Sequence, residues 1–130
     1  MKISTRLAVA AVAATATLVP AAAVASASPS APTVGDTVRY MFYSDVQYNE
    51  TVTYFDANSE IQTMENPKLP SYSGEEGWYS GSLTVTSRST YQLASSSIQT
   101  SGYRAACRVY VNGTLVSSDS ATGRYAVALC

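Results

Sequence analysis

The chain has 130 residues, among them two cysteines and no histidine, and a formal net charge of −1. Nine acidic and six basic side chains follow Ala27 without a basic cluster, which argues against binding to nucleic acid or anionic lipid headgroups. Because histidine is the usual general base and the commonest zinc ligand, we expect no catalytic centre, no metal and no other cofactor.

The N-terminal segment resembles an export signal. A short basic start precedes the apolar stretch Leu7 to Val19, and small residues then lead to Ala25-Ser26-Ala27. This order predicts a signal peptide over residues 1–27 with an A-x-A cleavage site. An uncleaved membrane anchor stays open, because the apolar part approaches the roughly 20 residues that a spanning helix needs. The Pro- and Ser-rich residues 28–36 are expected to form a linker.

Residues 37–130 carry the alternation of apolar and polar residues that predicts short β-strands. No helical period appears, and strands with this spacing are typical of a sandwich rather than a barrel. We therefore expect an all-β, immunoglobulin-like antiparallel β-sandwich of seven or eight short strands. The predicted elements in chain order are a strand at 37–42, a strand at 51–54, a turn at 56–59, a returning strand at 60–64, a break at 66–70, a polar loop at 71–77, a strand at 78–86, a strand around Tyr91 and Leu93, a strand edge or loop around Ile98, a hairpin at 104–111 and 114–118, a turn at 119–123 and a final strand.

Asn112-Gly113 is the clearest turn in the chain. It separates two β-rich runs, and a type I′ hairpin turn needs positive φ at both central residues, which Asn and Gly tolerate best. Alternation then directs Cys107 and Val109 to the core and Arg108 and Tyr110 to solvent. The register predicted from this turn pairs Val111 with Thr114, Val109 with Val116, and Cys107 with Ser118.

The two cysteines predict one disulfide. Export places them in an oxidising compartment, and the only intramolecular pairing is Cys107 with Cys130. Closing that loop stabilises the fold by about 3.5 kcal/mol in the chain-entropy model. Free thiols or an intermolecular bridge remain as alternatives. Cys130 shares a strand face with the small Ala126 and Ala128, whereas bulkier residues lie opposite; either the alanines make room for the bridge, or the chain twists at its end.

Aromatic residues are in surplus, with ten Tyr, two Phe and one Trp. Tyr and Trp combine an apolar body with a polar tip, which suits surfaces that recognise sugars, lipids or proteins. Tyr also favours strands, so the rims of a small sandwich are the other explanation for this surplus. The residues predicted for a binding surface, around the mid-chain loop, are Tyr72, Trp78, Tyr79, Tyr43 and Tyr48.

The C-terminal half carries a family resemblance. Cys107-Arg-Val-x-Val-Asn-Gly is followed by Ser-x-Ser-Ala-Thr-Gly ending at Gly123, and then by Tyr125-Ala-Val-Ala-Leu-Cys130. These runs resemble the MmpS family, the small mycobacterial membrane proteins that are also described as transport accessory proteins. The resemblance covers Val34 to Cys130 and is most specific from Cys107 onward.

The resemblance implies an exported β-sandwich with one disulfide that works beside large RND-type exporters of lipids or siderophores in an actinobacterial envelope. The family usually keeps an uncleaved N-terminal helix, whereas the N-terminus of this chain is predicted to be a cleavable signal peptide. The chain also departs from the family in the acidic insertion Ser71 to Gly77, which separates Pro70 from Trp78. We expect a non-enzymatic accessory domain of the bacterial cell envelope. The alternative is a freely secreted binding or inhibitory module that contacts a glycan, lipid or protein through its aromatic loop.

Overall fold

The computed structural model describes residues 31–130, and every regular element among them is a β-strand. The predicted signal peptide, residues 1–27, lies outside the described residues. No helix in the described part is long and apolar enough to cross a membrane. The nine strands are β1 (Thr37–Ser44), β2 (Thr51–Phe55), β3 (Ile61–Glu65), β4 (Ser71–Ser73), β5 (Trp78–Thr86), β6 (Ser96–Gln99), β7 (Arg104–Val111), β8 (Thr114–Thr122) and β9 (Val127–Leu129).

The strands form two antiparallel sheets, which confirms the predicted all-β antiparallel sandwich, although the described residues contain nine strands rather than the expected seven or eight. The five-stranded sheet has the order β4-β5-β1-β7-β8, and the four-stranded sheet has the order β3-β2-β6-β9. The inward-facing residues of β1, β2, β6 and β7 supply most of the core, because alternate side chains on each strand point between the sheets. The buried apolar residues are Val38, Tyr40, Phe42, Val52, Leu69, Ile98, Ala105, Cys107, Val109 and Ala128.

The predicted disulfide is present and joins the two sheets. Cys107 lies in β7 of one sheet and Cys130 directly follows β9 of the other, with 6.1 Å between their Cα atoms. Ala128 is fully buried beside the bridge, while its neighbours Val127 and Leu129 are exposed. The first of the two alternatives for the chain end is therefore correct: a small side chain makes room for the bridge, and the bulky residues face solvent.

The hairpin turn forms as predicted, but its strands change register. Asn112 and Gly113 have φ values of 51° and 85°, and Val111 pairs with Thr114. A β-bulge next to Val109 then shifts the pairing by one residue. The predicted partners Val116 and Ser118 are wrong, because the extra residue in β8 turns the opposite set of side chains towards the core side. The observed pairs are Val109 with Ser117 and Cys107 with Asp119.

The bulge is stabilised by contacts of β8 with the C-terminal end of the chain. It brings the Ser117 hydroxyl within 2.9 Å of the Cys130 carbonyl oxygen, to which it donates. It also lets the Asp119 carboxylate accept a hydrogen bond from the Leu129 amide at 2.9 Å. Unbulged alternation would have pointed both side chains to the outer face.

Three further element predictions need correction. The polar loop at 71–77 contains the short strand β4, which pairs with β5. No strand forms around Tyr91 and Leu93, whose side chains are exposed. The turn placed at 119–123 belongs largely to β8, which continues to Thr122 because Ala121 and Thr122 still pair with β7. The segment around Ile98, expected to be a strand edge or a loop, is β6, an interior strand that pairs with β2 on one side and with β9 on the other.

The described part of the predicted linker is tied to the sandwich. The Gly35 amide donates to the Ser87 carbonyl at 2.9 Å, and the Gln92 amide donates to the Pro32 carbonyl at 2.8 Å. The side chain of Asn112 accepts a hydrogen bond from the Thr37 amide at 2.9 Å. The chain is therefore anchored from Pro32 onward, ahead of the first strand.

Candidate functional site

The outer face of the five-stranded sheet carries two of the predicted binding residues. Tyr43 lies between Phe42 and Ser44, both of which are buried, so the alternation of β1 turns Tyr43 outward. On this face Tyr43 and Trp78 meet edge to face, with 6.3 Å between their ring centroids. Two arginines from β7 join them. We call Tyr43, Trp78, Arg104 and Arg108 the aromatic–arginine face.

Arg104 fixes the position of the indole. Its guanidinium carbon lies 4.1 Å from the centroid of the Trp78 ring, a close cation–π contact. Its Nη2 donates to the Gly77 carbonyl at 2.8 Å, which ties the turn before β5 to β7. Two contacts of one side chain therefore hold both Trp78 and the turn that precedes it.

Arg108 lies at the other side of Tyr43. Its guanidinium carbon is 5.5 Å from the Tyr43 ring centroid. A hydrogen bond with Tyr110 and the nearby phenol oxygens of Tyr43 and Tyr110 raise the pKa of Arg108 above its usual value. Tyr110 is contacted in turn by Arg39, whose guanidinium carbon lies 5.7 Å from the Tyr110 ring centroid. Positive charges and aromatic rings thus alternate across the face.

A cleft of about 520 Å³ opens on this face. Its floor is low because the cross-strand partners Ala106 and Ser120 carry small side chains. Arg108 offers hydrogen-bond donors at one wall, and Glu76 offers an acceptor at another. The residues that line the cleft are Tyr43, Glu76, Trp78, Ala106, Arg108 and Ser120.

Asp45 sets the start of β7, from which Arg104 projects. Its Oδ1 accepts hydrogen bonds from the amides of Tyr103 at 3.1 Å and Arg104 at 3.0 Å. The Thr100 hydroxyl donates to the same oxygen at 3.3 Å. A Cβ atom at Gly102 would lie 2.6 Å from this oxygen, so the carboxylate reaches the loop only because residue 102 has no side chain. Asp45 is therefore a positioning residue for Arg104.

The other predicted binding residues lie elsewhere. Tyr79 follows Trp78 in β5 and points to the opposite face, where it packs against the core. Tyr72 of β4 contacts it, with 4.6 Å between the ring centroids. Tyr48 lies in the loop between β1 and β2, where it forms an isolated bridge with Lys68 and is half exposed. The five predicted residues thus form three separate groups rather than one surface.

Neither arginine of the face was among the binding residues predicted from the sequence. Arg104 and Arg108 are four residues apart on a predicted strand, so period-2 alternation alone puts them on one side. Their closeness to Tyr43 depends on the pairing of β7 with β1, which places Arg108 opposite Met41 and beside Tyr43. That pairing joins residues more than 60 positions apart, and no local pattern encodes it.

No three His, Cys, Asp or Glu side chains within residues 31–130 are placed to hold a metal ion. No protein-family model matches the chain, and no curated protein matches it with significant similarity. The similarity to the MmpS family therefore stays a prediction from the sequence motifs. The disulfide indicates an oxidising compartment outside the cytosol.

Proposed function

We propose that the chain is a non-enzymatic, exported recognition domain that docks on a protein of the cell envelope through its aromatic–arginine face. The observation that carries this proposal is the grouping of Trp78, Tyr43 and two arginines around one cleft on an otherwise polar sheet face. Trp, Tyr and Arg are the residue types most enriched among the hot spots of protein interfaces.

The face is arranged in advance of binding. Arg104 is held by the Trp78 ring and by the Gly77 carbonyl, so little side-chain freedom remains to be lost when a partner docks. The low floor at Ala106 and Ser120 leaves room for a partner side chain beside Tyr43. Because Arg39 and Arg108 add positive charge here, we expect an acidic group on the partner surface opposite them.

The MmpS resemblance suggests the nature of the partner. In that reading the domain is an accessory of an RND-type exporter, and lipids or siderophores are the cargo of the exporter. The disulfide is consistent with this, since the soluble parts of such a partner that face away from the cytosol share its oxidising compartment. The second candidate, a freely secreted binding module, uses the same face and differs in where the mature chain is found.

Site-specific photo-crosslinking tests the face. A photoreactive phenylalanine analogue at position 43, in the native envelope, should capture a multi-span membrane protein. The same analogue at position 53 is the control, because Thr53 lies on the outer face of the other sheet, between the buried Val52 and the core-packed Tyr54. Adding Arg108→Glu to the position 43 variant should abolish the adduct. Equal capture from both positions, or capture that survives Arg108→Glu, contradicts the proposal.

N-terminal sequencing of the native protein separates the two candidates. An intact N-terminus in the membrane fraction favours the accessory of a transporter. A mature chain that starts at Ser28 in the culture fluid favours the secreted module. The first result would also show that residues 1–27 are a retained anchor and not a cleaved signal peptide.

A further inference from the structure

A second aromatic cluster lies where three loops meet at one end of the sandwich. These loops connect β1 to β2, β6 to β7 and β8 to β9. The Ser101 hydroxyl donates to the Tyr48 carbonyl at 2.6 Å, which joins the first loop to the second. The amides of Gly123 and Tyr125 donate to the carbonyls of Tyr103 at 2.8 Å and Gly102 at 3.1 Å, which joins the second to the third. The three loops therefore form one connected surface.

Arg124 lies between two tyrosines of this surface. Its guanidinium carbon is 5.8 Å from the Tyr103 ring centroid and 4.8 Å from the Tyr125 ring centroid. Its Nη1 and Nη2 donate long hydrogen bonds to the two phenol oxygens, at 3.5 Å and 3.3 Å. Because each phenol oxygen accepts from the arginine, its own O–H proton is free to be donated outward. One positive charge and two hydroxyl donors are thus presented together.

Tyr125 has a strained backbone conformation. Tyr125 has a φ of 58°, in the left-handed region that favours glycine. Its side chain is nevertheless 44% exposed, so burial of the ring does not account for a tyrosine at this position. Residues held in a strained backbone conformation cluster at ligand-binding sites.

We propose that Tyr103, Arg124 and Tyr125 form a site for an oxyanion carried by a sugar, either a uronate or a sugar phosphate. The guanidinium and the two phenol hydroxyls supply the donors that a carboxylate or phosphate requires. The exposed tyrosine rings beside them offer apolar faces on which the C–H face of a sugar ring packs.

The size of the surface favours a sugar over a protein. Tyr103 and Tyr125 are 56% and 44% exposed, so together they present roughly 200 Å² of aromatic side chain. A protein partner buries about 800 Å² on each side of a standard interface. A few linked sugar units are matched to the smaller area. This site uses none of the residues of the aromatic–arginine face, so it stands independently of the proposed docking function.

The test is a calorimetric titration of the oxidised full-length protein at low salt with four probes. Tetragalacturonate and glucose 6-phosphate carry the oxyanion on a sugar, maltotetraose is a sugar without charge, and a capped hexaglutamate peptide is an anion without a sugar. We expect at least one of the first two probes to bind and the last two to bind at least tenfold more weakly. Which of the first two binds more tightly distinguishes uronate from phosphate.

Three variants link the binding to the cluster. Arg124→Gln should weaken binding at least tenfold, whereas Arg88→Gln, which removes an exposed arginine at the opposite end of the sandwich, should change it less than twofold. Tyr125→Gly should also weaken binding at least tenfold, yet leave the melting temperature equal or higher because it relieves the left-handed strain.

Three outcomes would overturn the proposal. They are no binding of either sugar anion, binding of hexaglutamate as tight as that of the sugar anions, or an Arg124→Gln affinity equal to that of the parent. A marked fall in melting temperature for Tyr125→Gly would show that the ring supports the fold, and would overturn its assignment to the site.

Discussion

The rings of Trp78 and Tyr79 lie on opposite faces of the five-stranded sheet, although the two residues are adjacent in the chain. Trp78 contacts Tyr43 and Arg104 on the outer face, and Tyr79 packs against the core and against Tyr72. The two positions therefore separate the proposed recognition role from the stability of the fold.

Alanine substitutions at these two positions should differ in their effect on the free energy of unfolding. Tyr79→Ala should cost about 2 kcal/mol, because it empties part of the space beside the core. Trp78→Ala should cost about 1 kcal/mol, mainly through the lost contact with Arg104, and should remove the crosslink from position 43. Urea denaturation followed by circular dichroism measures both values. If Trp78→Ala costs as much as Tyr79→Ala, then Trp78 is a structural residue.

Reduction of the Cys107–Cys130 disulfide should lower the melting temperature by about 15 °C. This follows from roughly 3.5 kcal/mol of loop-closure stabilisation in a described domain of about 100 residues. The experiment is thermal unfolding with and without a reducing agent. The control is the double variant Cys107→Ala/Cys130→Ala, which should melt at the lower temperature under both conditions. A parent protein whose melt is unchanged after both thiols are shown to be free would contradict the expected contribution.

Gly102→Ala should destabilise the protein by about 2 kcal/mol. The added Cβ would lie 2.6 Å from the Asp45 carboxylate oxygen, which must then withdraw from the amides of Tyr103 and Arg104. Gly74→Ala is the matched control, since the nearest atom to its Cβ would be 3.7 Å away. Chemical denaturation of both variants provides the comparison. Equal stabilities would show that the carboxylate does not restrain the loop.

Tyr40 should make the fold sensitive to alkali. Burial raises the pKa of its phenol from 10.0 to about 12, and its hydroxyl donates to the Phe55 carbonyl at 2.7 Å. Because the pKa is raised in the folded protein, this stabilisation is complete below pH 10 and declines as the pH rises towards 12.

Tyr40→Phe tests this dependence. The variant should lose about 1 kcal/mol at pH 7, because the Phe55 carbonyl loses its partner. It should also show a smaller loss of stability between pH 10 and 12 than the parent. Tyr91→Phe, at an exposed tyrosine, is the control and should behave like the parent. An alkaline profile for Tyr40→Phe that matches the parent would assign the sensitivity to other tyrosines.

The local features of the fold were predictable because local chemistry determines them. The Asn112-Gly113 turn follows from the two positive φ values that a type I′ turn needs, and the alternation in β1 and β7 follows from one buried face. The disulfide followed from an even cysteine count in a chain with an export-like N-terminus.

The features that were missed depend on contacts between distant segments. The bulge beside Val109 is stabilised by the contacts of Ser117 and Asp119 with the last strand, which the hairpin sequence alone does not encode. The division of the predicted binding residues into three groups has the same origin. It depends on which face of β5 meets the core, and this became evident only once β5 was paired with β1.

The bulge in β8 also bears on how the molecule avoids self-association. β8 is a nine-residue strand at the border of its sheet, and a long unpaired border presents backbone groups on which another chain could add a strand and start a fibril. The bulge at Val116, the third residue of β8, interrupts the even spacing of those groups near the start of the strand. A second molecule aligned with the residues after the bulge is then out of step with those before it, which limits polymer growth from this side of the protein.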